Sequence, residues 1–165
     1  MKKIILATFL LTILIACSST DKKTESNIAL ITKYVKAVEN NDSATMESLM
    51  DESYWGFGPS AGDSINKEGV IASWKNNIEN LYDGITYSKS KNIAVTIPDG
   101  INKGEWVSNW AELKIVYKKD KRTVTILANT IYKIENNKIV KSYSFYNEAD
   151  VLRQLGYVFI NPDEL

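Results

Sequence analysis

Apolar residues recur at helical spacing three times in the first half of the chain and alternate with polar ones in much of the second half. Ile28, Ile31, Val35 and Val38 fall three or four positions apart, the spacing of one helix face, and predict a helix from about Asn27 to Asn40. Ser26 stands where an N-cap is needed, and Asn40-Asn41-Asp42 breaks the pattern. Met46, Leu49 and Met50 predict a second, short helix. Tyr54-Trp55-Gly56-Phe57 reads as a short strand. Gly58 to Asp63, with Pro59 and Gly62, reads as a loop. Val70, Trp74, Ile78 and Leu81 form the stripe of a third helix, capped by Asn66 and ended by Gly84.

Beyond Gly84 the chain turns extended. Ile85 to Ile97 is followed by a Pro98-Asp99-Gly100 turn, and Glu105 to Tyr117 and Thr123 to Ile134 are long strands joined by the charged turn Lys118 to Arg122. Glu135-Asn136-Asn137 turns the chain into a last strand, Lys138 to Asn147. Ala149, Leu152 and Leu155 mark a final short helix that Gly156 ends. The segment Tyr157-Val158-Phe159-Ile160 is too apolar to float free and is expected to pack on the domain or on a partner. Helices first and an antiparallel meander afterwards define an α+β fold, with the three N-terminal helices available to cover a curved sheet.

Composition narrows the chemistry. The 165 residues suffice for one domain, and 44% hydrophobic with 24% charged residues is ordinary for a globular protein. Net charge is zero and the signs are interleaved, so no nucleic-acid partner is expected. The chain has no histidine and a single cysteine, Cys17. That removes the commonest general base, an intrachain disulfide and a thiolate metal site. No phosphate-binding glycine loop, nucleophile elbow or acidic metal cluster is evident, and Asp51-Glu52 reads as a solvated helix end. No cofactor and no metal are expected.

The N-terminus has its own pattern. Lys2 and Lys3 precede an apolar run from Ile4 to Ile15, shorter than the roughly 20 residues of a spanning helix and suited to a secretory signal. It ends in Leu14-Ile15-Ala16-Cys17, which resembles the lipobox of bacterial lipoproteins. The resemblance implies cleavage before Cys17 and a diacylglyceryl thioether on it. Acyl chains in that number hold a stable anchor. The expected organisation is a signal peptide at 1–16, lipidated Cys17 and a polar tether at 17–26, a domain at 27–160 and a tail at 161–165. The membrane would then be a partner through the anchor. The protein would lie in the cell envelope, at the outer membrane or cell surface of a double-membraned cell.

The order of elements, with Lys33-Tyr34-Val35-Lys36-Ala37-Val38, Ile131-Tyr132-Lys133-Ile134-Glu135-Asn136-Asn137-Lys138-Ile139-Val140 and the closing Gln154-Leu155-Gly156, resembles the SnoaL-like branch of the nuclear-transport-factor-two-like superfamily. The similarity runs from about Asn27 to Tyr157. It implies a cone whose curved antiparallel sheet, covered by the three helices, encloses an apolar pocket. Members include steroid isomerases, polyketide cyclases, dehydratases and non-catalytic binding domains, and many are homodimers. A homodimer is therefore a possible state here.

The isomerase-like members use a tyrosine on the first helix, an acid on the first strand and a second acid deep in the sheet. By resemblance Tyr34 falls on the tyrosine position, Gly58 on the base position and Thr130 on that of the second acid. Glycine cannot abstract a proton, so that mechanism would need Asp63 or another acid to move in. Asn147 stands where many SnoaL-like chains carry aspartate. Trp106, Ser108, Trp110 and Glu112 share one side of a strand, and Val107, Ala111, Leu113, Ile115 and Tyr117 share the other. Were the first side concave, the indoles would line the pocket and Glu112 would be a general acid or base with a raised pKa. Were it convex, they would form a hydrophobic outer face.

Candidate catalytic residues are thus Glu112, Tyr34 and Asp63. Candidate ligand-binding residues are Tyr34, Tyr54, Trp74, Trp110, Thr130 and Tyr146, the last because its phase on the final strand faces inward in the family. The leading expectation is a membrane-anchored domain that binds a small apolar ligand or a protein partner without catalysis. The alternative is an isomerase, cyclase or dehydratase acting on a small hydrophobic substrate.

Overall fold

A computed structural model describes residues 22–164; the signal segment, the lipobox and Cys17 lie outside the described residues. Helix α1 occupies residues 22–39, followed by α2 (Ser43–Leu49), β1 (Met50–Phe57), β2 (Ser64–Asn66) and α3 (Lys67–Asn76). A wide π-type turn, Asn77–Leu81, leads into β3 (Tyr82–Ile97), β4 (Gly104–Tyr117), β5 (Thr123–Glu135), β6 (Lys138–Tyr146) and α4 (Glu148–Gln154), before a final single turn at Pro162–Glu164. The strands form one six-stranded sheet in the order β2-β1-β6-β5-β4-β3. The sheet is mixed rather than wholly antiparallel, because β1 runs parallel to β6 while every other neighbouring pair is antiparallel. The fold is α+β.

Local chemistry explains most element ends. The Asp42 side chain accepts from the Thr45 backbone N–H at 2.9 Å and starts α2; Asn66 accepts from Gly69 at 2.9 Å and starts α3; Asn147 accepts from Asp150 at 3.0 Å and starts α4. The β5–β6 hairpin turns on Asn136 and Asn137, both at positive φ (50° and 59°), the type I′ geometry that asparagine tolerates better than most residues. In the middle of β3 the pairing with β4 slips between Ser88 and Lys91, and Lys89 takes a positive φ of 52°. This bulge bends the long strand and helps curve the sheet. Asn109 locks the bend from β4 by donating to Ser90 and Asn92, each at 2.8 Å.

Three boundaries differ from expectation. The helix already runs at residue 22, so Ser26 lies inside α1 and is not its N-cap. Lys23 in that first stretch pairs with Glu105 at 3.3 Å. Gly84 does not end the third helix, because the chain leaves the helix at Leu81 and Gly84 is already paired with Val116 in the sheet. Met50 belongs to β1 and pairs with Ile139 of β6, where both are fully buried.

One core joins helices and concave sheet. Ile31, Tyr34, Val35 and Val38 of α1, Met46 of α2 and Ile71 of α3 meet Val107, Leu113, Val124, Tyr132 and Ile139 from the strands. Burying each of the large aliphatic side chains contributes roughly 1.5–3 kcal/mol, which holds the helices on the sheet.

Candidate functional site

Cross-strand pairing assigns every sheet residue a face. Ala111, Leu113, Ile115 and Tyr117 of β4 pair with Ala128, Ile126 and Val124 of β5 and with Tyr87, Ile85 and Tyr82 of β3, and this set points toward the helices. On β6, Ser142, Ser144 and Tyr146 pair with Tyr132, Thr130 and Ala128 and share that concave face. Between these strands and α3 and α4 lies a cavity of about 560 Å³. That volume is in the range that holds a small organic ligand.

The cavity has an apolar wall and a band of hydroxyls. Val70 and Trp74 of α3, Ile85, Leu113, Ile115 and Ile126 of the sheet, and Val151 and Leu155 of α4 supply the apolar surface. Tyr54 and Ser142 share a 2.7 Å hydrogen bond on its floor, and Thr130 and Ser144 share one of 3.2 Å. Behind the floor, the ring of Tyr34 meets that of Tyr132 edge-on at 5.6 Å. Burial raises the pKa of Tyr34 and Tyr132 well above the usual value, with neighbouring tyrosines adding to it. Burial likewise raises Tyr54, against which the Ser142 hydrogen bond acts, and Tyr87, where the charge of Glu39 adds to it. These hydroxyls remain protonated donors. Among the described residues that line the cavity, Glu148 at the exposed end is the one acidic or basic side chain.

The sequence matches no family model and no curated protein. Solved structures do match. A proposed SnoaL-like polyketide cyclase from Shewanella denitrificans superposes with a TM-score of 0.61 at 15% identity, covering 79% of this chain and 96% of that one. A nuclear-transport-factor-two-like protein from Burkholderia xenovorans gives 0.61 at 14% identity, covering 79% and 96%. An LEH-like epoxide hydrolase from M. tuberculosis gives 0.59 at 11% identity, covering 81% and 91%. The domain has the SnoaL-like, nuclear-transport-factor-two-like fold.

Within this SnoaL-like cone, Tyr54, Trp74, Thr130 and Tyr146 line the cavity. Tyr34 does not; it is packed behind the floor, 6% exposed, as part of the core. Gly58 lines the cavity at a φ of 87°, and a Cβ built on it would lie 2.5 Å from the Ser144 carbonyl oxygen. No L-amino acid fits there without moving backbone, so the position where the resemblance puts a base excludes one sterically.

The remaining candidates are displaced from the cavity. Trp110 and Glu112 sit on the convex face, in phase with Trp106 and opposite to Leu113 and Ile115. Glu112 is not a desolvated acid: Lys89 hydrogen-bonds it at 2.8 Å and, with Ser88, lowers its pKa below the usual carboxylate value. Asp63 stands in the exposed loop before β2 and does not line the cavity. Trp106 is buried on the outer face by stacking on Tyr143, which in turn stacks on Phe57. The tail packs little on the domain: Tyr157 borders the cavity, yet it and Val158, Phe159 and Ile160 are 60–80% exposed.

Sequence reasoning missed Tyr82, Tyr87, Tyr117 and Glu148. Tyr117 alternates in phase with Leu113 and Ile115, a signal that was present. A helical stripe that reads through to Gly84 conceals Tyr82, the first residue of β3. Its ring meets that of Tyr117 edge-on at 5.2 Å.

Proposed function

We propose that the chain is a membrane-tethered SnoaL-like domain that binds a small apolar ligand in its cone without converting it. The carrying observation is Gly58. The floor of the cavity offers hydroxyl donors, and the one place where the resemblance calls for a base is closed to any side chain by the Ser144 carbonyl. Hydroxyls on Tyr54, Ser142, Thr130 and Ser144 would orient a carbonyl or ether oxygen of a ligand whose body rests on Trp74 and the aliphatic wall. Mass spectrometry of small molecules extracted from the purified protein tests this. Recovery of one apolar compound, unchanged after incubation with the protein, supports binding; appearance of a new product refutes it.

The alternative, an isomerase, cyclase or dehydratase, rests on Glu148, a carboxylate that borders the cavity. In that reading a product forms, and Glu148→Gln abolishes its formation.

Anchoring belongs to the same proposal and is supported by the apolar run before Leu14-Ile15-Ala16-Cys17. Among the described residues no helix is long and apolar enough to cross a membrane. In this proposal the lipid on Cys17 provides the attachment. The site would be the cell envelope, at the outer membrane in a double-membraned cell. Radiolabelled palmitate should enter the wild-type chain and not Cys17→Ala.

A further inference from the structure

The two ends of the cavity differ in chemistry. The inner end is aliphatic and hydroxylic. At the open end, Tyr82, Tyr117, Tyr146 and Tyr157 stand with Glu148 around the entrance. Tyr82 and Tyr117 hold each other edge-on at 5.2 Å with their rings 85° apart, which presents faces in different directions. Tyr146 projects from the concave side of β6 two residues before Glu148, and the Glu148 charge acts on its hydroxyl. Among the described residues, no lysine or arginine lines the cavity. Arg122, beside α4, is committed to Asp120 at 2.9 Å and to the Leu155 carbonyl. Among the described residues no salt bridge neutralises Glu148. Among the described residues that line the entrance, the charge is that of Glu148 and the π faces are those of Tyr82, Tyr117, Tyr146 and Tyr157.

Aromatic faces attract cations through the ring quadrupole, and alkylated ammonium groups suit such sites because they are weakly hydrated and cost little to desolvate. A carboxylate beside the rings adds a Coulombic contribution. We infer that the ligand is a cationic amphiphile: an apolar body occupying the inner cavity and an alkylated ammonium head held at the entrance by Tyr82, Tyr117, Tyr146 and Glu148. This rests on the ligand-binding reading above and names the class of molecule it admits.

The experiment compares 4-phenylbutyltrimethylammonium with its uncharged isostere, in which a tert-butyl group replaces the ammonium head, by isothermal titration calorimetry on the intact protein. The cation should bind about tenfold more tightly than the isostere. The advantage should shrink with added salt and in Glu148→Gln. Tyr146→Phe, which keeps a π face, should retain it, and Tyr146→Leu should reduce it severalfold. Both positions are exposed, and thermal melts of the variants check that the fold is retained. Equal or tighter binding of the isostere overturns the inference while leaving a ligand-binding cone intact. So does an advantage unchanged in both Glu148→Gln and Tyr146→Leu. Binding of neither probe overturns the inference and the ligand-binding reading together.

Discussion

Tyr54 and Ser142 share a hydrogen bond of 2.7 Å across the parallel strands β1 and β6, and Gly56 is what lets them meet. A Cβ on Gly56 would lie 2.8 Å from the tyrosine oxygen, 3.3 Å from an Ile65 methyl and 3.4 Å from the serine hydroxyl. The residue opposite Ser142 in the register is therefore kept without a side chain so that the cavity floor can carry two hydroxyls. Gly56→Ala should force the tyrosine aside and cost about 1–3 kcal/mol, the usual range for overpacking. Urea unfolding measures it. Tyr54→Phe, which leaves the Ser142 hydroxyl without its partner, should cost about 1 kcal/mol by the same assay. A Gly56→Ala protein as stable as wild type would mean that the floor yields freely.

Tyrosine burial gives the domain a defined alkaline limit. Tyr34, Tyr54, Tyr87 and Tyr132 all ionise above the usual value of 10.0 in the folded state because burial penalises the phenolate. The folded state thus holds its protons more firmly than the unfolded chain does. That contribution to stability is fully present below pH about 10 and is lost as pH rises through the unfolded value toward the folded ones. Denaturant midpoints should be insensitive to these groups at neutral pH and fall steeply above pH 10. Absorbance at 295 nm should show some tyrosines ionising with the unfolding transition rather than before it. A single titration near 10 in protein that remains folded would contradict the burial.

The outer face should be separable from the cavity. Glu112 is held by Lys89 and Ser88 on the convex side, opposite to Leu113 and Ile115. Glu112→Gln and Trp110→Ala should each leave binding of a cavity ligand within about twofold of wild type, whereas Trp74→Ala removes part of the wall and should weaken it tenfold or more. Calorimetric titration of all three with one ligand decides this. A loss in Glu112→Gln matching that in Trp74→Ala would place the functional surface on the wrong side.

What could be read in the residues divides along physical lines. Ile28, Ile31, Val35 and Val38 announced α1 because a helix that buries one stripe needs apolar residues at that period; Ile31, Val35 and Val38 are in the core, and Ile28 is half-buried outside it. Asn66 and Asn136-Asn137 announced a cap and a turn because their side chains suit those backbone geometries. The phase of β4 could not be read. Both its faces are apolar, Trp106 and Trp110 on one and Val107, Leu113 and Ile115 on the other, and only the helices packed on the sheet decide between them. The bulge at Lys89 carries no signal either, since it is fixed by Asn109 reaching across from the neighbouring strand. Glu148 was lost among surface charges because its place at the entrance depends on how α4 crosses the sheet, where Gln154 bonds the backbone of Thr125 at 2.9 Å on both its N–H and its carbonyl.

Filling the cavity should separate its role from that of the surrounding core. Ala128 lies on the concave face between Ala111 of β4 and Tyr146 of β6, and its small side chain leaves part of the space that a ligand would use. Ala128→Phe places a ring there. In a packed interior such a change would cost about 1–3 kcal/mol in strain. In an open cavity the added apolar surface is buried without displacing neighbours, so thermal stability should hold or rise. Binding of an apolar ligand should fall tenfold or more at the same time. Melting by circular dichroism and titration calorimetry on the same sample read both effects. Destabilisation together with undiminished binding would show that the space beside Ala128 is already occupied by packing and that the ligand sits elsewhere.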